Sequence, residues 1–257
     1  MLAAVTPGRL LLVPTPLDFG TGVAPPLSQV LPAGTLQAAS RITHWVCENA
    51  RSARAFLKRV HAEHPLAAPL QALQITELPR EVHKKGDHEA GGFDARPLLA
   101  PVLQGHDVGL LSEAGMPAVA DPGSSVVRAA HALGVTVVPL VGPAALLLAL
   151  AASGLNGQHF AFVGYLPQDA AARARRLREL EAWAVKTGQT QQFIETPYRN
   201  PALWQALLAT LQPGTRIAVA SGLTLPEATC LTHTCTEWRQ RASPVDARMP
   251  AVFGIGR

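Results

Sequence analysis

The sequence predicts an α/β fold made of two α/β domains, the first with a mostly parallel sheet. Short runs rich in Val, Ile and Leu alternate with segments of helical period, which is the pattern of βα units. The chain of 257 residues exceeds the usual size of one domain, and 48% of it is hydrophobic against 16% charged. Two cores are therefore expected. Gly, Asn and Pro at 156–167 place the boundary between domains 1–157 and 158–257.

Five strands connected by helices are expected in the N-terminal domain. Apolar runs predict strands at 9–13, 42–47, 70–76, 108–111 and 135–141. Helices are expected between them at 24–31, 51–63, 94–104 and 122–133, and an apolar helix follows the Gly-Pro pair at 142–143. Strands that alternate with helices in this way form a largely parallel sheet that is covered on both faces.

The helix predicted at 122–133 has a signal at each end. Asp121 can accept hydrogen bonds from the free amides of the first turn, and Pro122 suits the first helical position. Gly134 suits the position after the last turn. Asp121 is therefore predicted to cap this helix rather than to act in catalysis.

The C-terminal domain is expected to mix strands and helices. A long charged helix is predicted at 169–186, with further helices at 200–211 and near 236–242. Strands are predicted at 190–195, 216–221, 228–232 and 251–256.

Composition favours a cytoplasmic protein with neither a membrane span nor a metal site. The longest apolar stretch, 144–152, is far shorter than the roughly 20 residues of a span, and no charged region precedes the apolar N-terminus. Three cysteines without CxxC spacing predict free thiols rather than disulfides or metal ligands. A net charge of +4 gives modest support for a polyanionic partner such as nucleic acid.

Common nucleotide-binding and hydrolase motifs are missing from the sequence. "FGTGVAPP" contains GxG but no third Gly, and two prolines follow where a phosphate-binding helix would expose its amides. Neither a GxxxxGK[ST] loop nor a GxSxG elbow occurs. Dinucleotide binding is therefore disfavoured, and P-loop or α/β-hydrolase chemistry has no residues to perform it.

Three loops rich in Gly and Pro follow predicted strands. They are "PTPLDFGTG" at 14–22, "SEAGMPAVADPG" at 112–123 and "VGPAA" at 141–145. Ligands of open α/β sheets bind beyond the carboxyl ends of the strands, where such loops expose backbone groups. The loops therefore predict a pocket that holds its ligand by shape and by main-chain hydrogen bonds.

Four motifs resemble one enzyme family. The segments 112–123, 138–144, "GYLP" at 164–167 and "FIETPYRN" at 193–200 are similar to the tetrapyrrole-methylase-like S-adenosylmethionine (SAM) methyltransferases. Within them the chain resembles the branch containing ribosomal RNA small subunit methyltransferase I, which methylates a cytidine 2′-hydroxyl. The resemblance is strong over 108–167 and weaker over 9–59.

The resemblance implies a two-domain class III methyltransferase, usually a homodimer, with SAM in a cleft between the domains. It implies RNA of the small ribosomal subunit as substrate. Backbone groups of the three loops suit the zwitterionic, sulfonium and adenine parts of SAM without a phosphate-binding motif. By position, the resemblance assigns SAM contacts to Pro16, Ser112, Ala114, Gly115, Pro117, Gly142, Pro143, Ala144 and Tyr165.

Methyl transfer to a hydroxyl requires an aligned oxygen and a group that removes its proton. Candidate carboxylates near strand ends are Glu48 and Glu195. Arg51 and Arg199 follow them closely and can hold a phosphate or orient the carboxylate. An intramolecular Glu–Arg ion pair that only tightens each turn is the alternative for both pairs.

Several polar positions depart from the branch pattern. "ENAR" stands for E-D-T-R, "TPLDF" for T-P-I-G-N, "SGLTL" at 221–225 for R-E-L-T-K, and "RMP" at 248–250 for K-G-E. The methyl-donor loops are retained while acceptor-side residues change. Methylation of a tetrapyrrole or other small molecule, or a SAM-binding paralogue without catalysis, therefore remains open.

Basic residues provide a partial indication of RNA binding. "ARARRLREL" at 172–180 and the polar segment "HKKGDHE" at 83–89 are the candidates. Solvated charge on an exposed helix face and on a surface loop is the alternative for both.

Overall fold

The computed structural model describes residues 6–18, 25–79, 81–82, 87 and 93–257. The chain divides into two compact units, Met1–Pro143 and Ala144–Arg257. Each unit contains one five-stranded sheet.

The sheet of the first unit is entirely parallel. Its strands are β1 (Arg9–Leu12), β2 (His44–Cys47), β3 (Gln74–Glu77), β4 (Val108–Leu111) and β5 (Thr136–Pro139). They are arranged in the order β3-β2-β4-β1-β5. The α-helices with described bounds are α1 (Ala33–Arg41), α2 (Ala50–Glu63), α3 (Ala100–Leu103) and α4 (Ser124–Ala132). The parallel sheet predicted for the N-terminal domain is confirmed.

Two hydrophobic clusters cover the two faces of this sheet. Leu11 and Leu111 pack with α1 and α2 on one face. Leu10 and Leu110 pack with α3 and α4 on the other. Because successive strand residues point to opposite faces, the uninterrupted apolar run at β4 is the pattern of a strand buried on both sides.

The second unit begins with α5 (Ala145–Ser153) and has a mixed sheet. Its strands are β6 (Phe160–Tyr165), β7 (Thr190–Glu195), β8 (Arg216–Ser221), β9 (Thr229–Thr234) and β10 (Ala251–Gly256). They are arranged in the order β6-β7-β10-β8-β9, with only β6 and β7 parallel. The remaining helices are α6 (Ala170–Thr187), α7 (Asn200–Thr210) and α8 (Cys235–Trp238).

Aromatic packing holds the core of the second unit. Phe193 and Phe253 stack across β7 and β10 with ring centroids 6.0 Å apart. Trp204 of α7 meets Trp238 of α8 edge to face at 5.0 Å. These rings stabilise the sheet that carries Glu195 at the end of β7.

The division between the units precedes the predicted boundary at 157/158. Helix α5 packs on β8, β9 and β10, so it belongs to the second unit. Eight of its nine residues are Ala or Leu and the ninth is Ser153, so its sequence does not indicate which sheet it covers. Segment 160–165, which lies within the stretch 156–167 used to predict the domain boundary, forms strand β6.

Two further differences lie near the first strand. Helix α1 was not predicted, because Pro32, Gly34 and Thr35 resemble a turn. Part of the helix predicted at 24–31 is a single 3-10 turn, Leu27–Gln29, and residue 24 lies outside the described residues.

Candidate active site

The three Gly/Pro-rich loops lie at one edge of the first sheet, and the first of them is described over residues 14–18. They follow β1, β4 and β5, which are neighbours and run parallel, so the loops leave the sheet on the same side. Thr15 of the first loop and Gly115 of the second form a short bridge. The Thr15 amide donates to the Gly115 carbonyl at 2.9 Å, and the Gly115 amide donates back at 3.1 Å. Two of the loops are thus joined by main chain.

Gly115 is the point where all three loops meet. A Cβ on this residue would lie 3.1 Å from Leu17 Cδ2 in the first loop and 3.5 Å from the Pro143 carbonyl oxygen in the third. Its φ of +81° also favours glycine. The small residue that the sequence assigns to ligand contact is therefore required by the packing of the loops themselves.

The backbone of loop 112–123 adopts left-handed conformations at four positions. Gly115 and Gly123 have positive φ, and so do the non-glycine residues Ala118 and Ala120, both at 63°. Such conformations cost free energy and are typical of ligand-binding loops. The Ser112 hydroxyl donates to the Gly115 carbonyl at 3.3 Å, which closes the first turn of the loop.

The residues assigned to cofactor contact are distributed over both units. The three loops of the first unit contain Pro16, Ser112, Ala114, Gly115, Pro117, Gly142 and Pro143. Ala144 opens the second unit, and Tyr165 is 55% exposed at the end of β6 in that unit. Seven of the nine residues thus belong to the first unit.

The prediction that Asp121 caps the following helix is wrong. Helix α4 begins at Ser124. The residue before it, Gly123, occupies the N-cap position and has no side chain that could cap the helix. Asp87 supplies the cap instead. One oxygen of Asp87 accepts from the Gly123 amide at 2.9 Å and from the amide and hydroxyl of Ser125 at 2.8 and 2.7 Å.

Asp87 is the one described residue of the polar segment 83–89, so the suggestion that this segment closes over RNA falls mostly outside the described residues. Its side chain is buried. Burial alone would raise the pKa of Asp87, but the bonds from Ser125 and Gly123 and the charge of Arg128 lower it. A carboxylate remote in sequence therefore fixes the end of loop 112–123.

Three carboxylates gather where β2 and β4 end. Glu48 follows β2, and its Oε1 accepts from the Glu113 amide at 3.3 Å. Burial raises the pKa of Glu48 to about 8, helped by the negative charges of Asp121 and Glu113. Burial also raises the pKa of Asp121 to about 6, with the charge of Glu113 adding to it. The pKa of Glu48 therefore lies close to neutral pH, the range in which a carboxyl group can exchange a proton with a bound substrate.

The two predicted Glu–Arg pairs differ in their contacts. Arg51 is exposed on the first turn of α2, and Glu48 Oε1 accepts a hydrogen bond from the Glu113 amide. Glu195 and Arg199, by contrast, form the intramolecular ion pair at 2.9 Å. The Glu195 side chain is only 4% exposed, and Arg199 Nε also donates to Thr196 Oγ1 at 3.0 Å.

Two of the four segments that depart from the branch pattern, 221–225 and 248–250, adjoin the sheet edge that carries Glu195. Ala251, which opens β10, pairs with Glu195 on one side and Ser221 on the other. The Ser221 hydroxyl donates to the Pro250 carbonyl at 3.2 Å. Asn200 Nδ2 donates to the Met249 carbonyl at 3.0 Å. Asn200, which directly follows Arg199, was not among the residues predicted for the site.

Comparison with known proteins decides the family. Residues 33–238 match the family model described as Tetrapyrrole (Corrin/Porphyrin) Methylases. The chain belongs to this family. Solved structures agree at the level of fold: the methyltransferase CobJ gives a TM-score of 0.56 at 19% identity, covering 97% of this chain and 94% of that one. The native form of uroporphyrin III C-methyltransferase from Thermus thermophilus gives 0.53 at 17%, covering 97% and 98%.

Relatives of this chain include proteins named ribosomal RNA small subunit methyltransferase I. The protein from Pseudomonas aeruginosa is 35% identical over 192 residues, which cover 75% of this chain and 58% of the relative. The protein from Xylella fastidiosa is 32% identical over 216 residues, covering 84% and 68%. The matched region thus spans between about three-fifths and two-thirds of these relatives.

Neither a membrane span nor a metal cluster is present in the part of the chain that the structure describes. No helix there is long and apolar enough to cross a bilayer. No group of three or more His, Cys, Asp or Glu side chains there is placed to hold a metal ion.

Proposed function

We propose that this chain is a SAM-dependent methyltransferase that modifies a cytidine 2′-hydroxyl in small-subunit ribosomal RNA. The observation that carries the proposal is the similarity to relatives bearing that methyltransferase name, over most of this chain. The sequence patterns at 112–123 and 193–200 support the same branch. A net charge of +4 is compatible with an RNA substrate.

The edge of the first sheet fits SAM chemically. Positive φ angles at 115, 118, 120 and 123 give loop 112–123 an irregular backbone, which suits a ligand held by main-chain hydrogen bonds. Glu113 and Asp121 place negative charge at this edge. SAM carries a sulfonium and an ammonium against one carboxylate, so this charge is complementary to it. The residues proposed to hold it are Pro16, Ser112, Ala114, Gly115, Pro117, Gly142, Pro143, Ala144 and Tyr165.

When bound, SAM supplies a methyl carbon already activated by its sulfonium. The protein must then align the acceptor oxygen and take up its proton. Glu48 is the proposed proton acceptor, because its pKa of about 8 lies near neutral pH and the Glu113 amide fixes the position of its Oε1. Arg51, exposed nearby on α2, is proposed to bind an RNA phosphate. Glu195 holds Arg199 in place for the same purpose.

Transfer of labelled methyl from SAM to small ribosomal subunits tests the proposal. Subunits isolated from cells lacking this gene should accept label that ribonuclease releases, and the Glu48→Gln variant should lose at least about 100-fold in rate. Gly34→Arg provides a matched control, because a Cβ at Gly34 meets nothing within 4 Å. Absence of label in any RNA would refute the acceptor while leaving family membership intact.

Methylation of a tetrapyrrole is the second candidate, favoured by the description of the family model. Incubation with uroporphyrinogen III in place of ribosomal subunits separates the two candidates. A paralogue that binds SAM without catalysis, suggested by the altered positions 221–225 and 248–250, would bind SAM and label neither substrate.

A homodimer in the cytoplasm completes the proposal. Helix α5 is apolar on every side, and its Leu147 and Leu148 are 55% and 39% exposed. An apolar helix that leaves large side chains exposed is typical of a surface that another chain covers. Light scattering after gel filtration should give twice the monomer mass of 27.1 kDa, and Leu148→Glu should reduce it to the monomer value.

A further inference from the structure

Tyr198 is the most exposed of the large hydrophobic side chains in the described residues, at 71%. It lies in the 3-10 turn Pro197–Arg199, which joins β7 to α7. Exposed aromatic rings of this size are costly to keep in water and are enriched where proteins bind ligands. None of the roles proposed above uses Tyr198.

One face of the Tyr198 ring contacts the Arg199 guanidinium, which is itself held in place. The Arg199 guanidinium carbon lies 5.4 Å from the centroid of the Tyr198 ring, within the range of a cation–π contact. Arg199 is itself immobilised, because its Nε donates to Glu195 Oε1 and to Thr196 Oγ1, both at 3.0 Å. Glu195 is in turn buried. The phenol therefore presents one face to the guanidinium and leaves its other face to solvent.

A planar ligand gains most from such an arrangement. Stacking on an aromatic face that is already ordered loses little side-chain entropy on binding, and every nucleobase has a π-face to offer. The guanidinium beside the ring adds positive charge, which suits the phosphate that accompanies each base. A single exposed aromatic ring with an arginine against its other face is thus suited to stack with one unpaired base.

We propose that Tyr198 is a stacking platform for an unpaired nucleobase of the RNA acceptor. This inference rests on the proposed function, since it names how the second unit recognises that substrate. It assigns Tyr198 to substrate binding and leaves proton removal to the residues described above.

A fluorescent hexaribonucleotide containing one 2-aminopurine tests the platform without catalysis, because stacking quenches the fluorescence of 2-aminopurine. We expect the full-length protein and Tyr198→Phe to bind the probe and quench it. Tyr198→Leu should bind about 5- to 150-fold more weakly, the range for loss of one stacked base, and should leave the fluorescence unquenched. SAM affinity and melting temperature should be unchanged in both variants.

Trp183→Leu is the matched control. Trp183 is also an exposed aromatic residue, at 51%, but lies on α6 and donates to Gln189 Oε1 at 3.0 Å. Its loss should change neither binding nor quenching. If Tyr198→Leu binds and quenches the probe like the unmodified protein, the platform is refuted.

Failure of the platform is distinguishable from failure of the proposed function. RNA labelling by the unmodified protein, with an unchanged KM for Tyr198→Leu, would overturn the platform and keep the methyltransferase. Quenching that depends on Tyr198, without labelling of any RNA, would keep the platform and overturn the acceptor. Binding of a porphyrin that depends on Tyr198, without probe quenching, would overturn the nucleobase in favour of a tetrapyrrole.

Discussion

The two units present candidate functional groups in different ways. At the edge of the first sheet, main chain dominates: Thr15 and Gly115 exchange amide hydrogen bonds, and four left-handed residues shape loop 112–123. At the edge of the second sheet, side chains dominate: Glu195 forms an ion pair with Arg199, and Arg199 makes a cation–π contact with Tyr198. A backbone-lined site depends on small residues and is sensitive to any added atom. A side-chain site is altered one contact at a time.

The largest effect is expected from Gly115→Arg in the backbone-lined site. A non-glycine residue at this φ, with a Cβ 3.1 Å from Leu17, should lower the free energy of unfolding by about 4 kcal/mol and abolish SAM binding. Chemical denaturation and equilibrium dialysis measure the two quantities. Gly34→Arg, in open space on α1, should change neither. Retention of SAM affinity by Gly115→Arg would show that loop 112–123 does not hold the cofactor.

The next largest effect is expected from Asp87→Ala, which should lower the free energy of unfolding by about 3 kcal/mol. The reason is that two amides and one hydroxyl lose their acceptor in a buried site. The folded-state pKa of Asp87 is depressed, so its contribution is present above the unfolded pKa and is lost as pH falls. Asp87→Asn should therefore be less stable than the unmodified protein at neutral pH and closer to it in acid.

Asp169→Ala is the control for the Asp87 substitution. Asp169 also caps a helix, but it is exposed and accepts only from the Ala172 amide at 2.8 Å. A loss of about 1 kcal/mol is expected. Equal losses for the two substitutions, measured by urea denaturation, would contradict the special role of the Asp87 cap.

In the second unit, Arg199→Met should lower the free energy of unfolding by about 2 kcal/mol, because it leaves the buried Glu195 carboxylate without its cation. The figure is below that of a fully buried pair, since Arg199 retains 26% exposure. Arg248→Met, which breaks an exposed pair with Asp246, should give no measurable change. If the melting temperatures of the two variants coincide, Glu195 does not depend on Arg199.

The next prediction concerns the dependence of stability on pH. Raised pKa values of Glu48 and Asp121 mean that the folded state binds protons more readily, so their contribution to stability is lost as pH rises from about 4.5 to about 8. Glu48→Gln should flatten the dependence of stability on pH in this window. If Glu48 removes the proton, kcat/KM should rise towards a plateau above about pH 8.

Asp121→Asn provides the sharper variant for the pH experiment. It removes the largest charge effect on Glu48 without altering Glu48 itself, so the rise of kcat/KM should move to lower pH. The charge of Glu113 and the more remote Asp87 remain and act in the same direction as Asp121 did. An unshifted profile would mean that the titrating group is not Glu48.

Four strands could be predicted from the sequence with the bounds that the structure shows. The predictions at 108–111, 190–195, 216–221 and 251–256 are confirmed residue for residue. In β4, which is apolar and buried along its whole length, the local pattern and the burial agree. Helix α5 shows the limit: its existence was predicted, but a helix that is apolar on all sides does not indicate which sheet it covers.

The loops of the candidate site could be predicted, but their contacts could not. Gly and Pro marked all three loops, yet the bridge between Thr15 and Gly115 depends on β1 lying beside β4. Likewise, Glu48 was predicted to act with Arg51, and its grouping with Glu113 requires β2 to lie beside β4. Strand order is set by long-range packing, which the local pattern does not encode. The capping of α4 by Asp87 instead of Asp121 has the same origin.

The bridge between Thr15 and Gly115 makes the two loops one cooperative unit in hydrogen exchange. Their amides bond only to each other's carbonyls, so opening either loop releases both. Deuterium should enter Thr15 and Gly115 at one common rate, although the residues are remote in the chain. A ligand held by either loop should slow both amides together, which makes this pair an intrinsic reporter of occupancy.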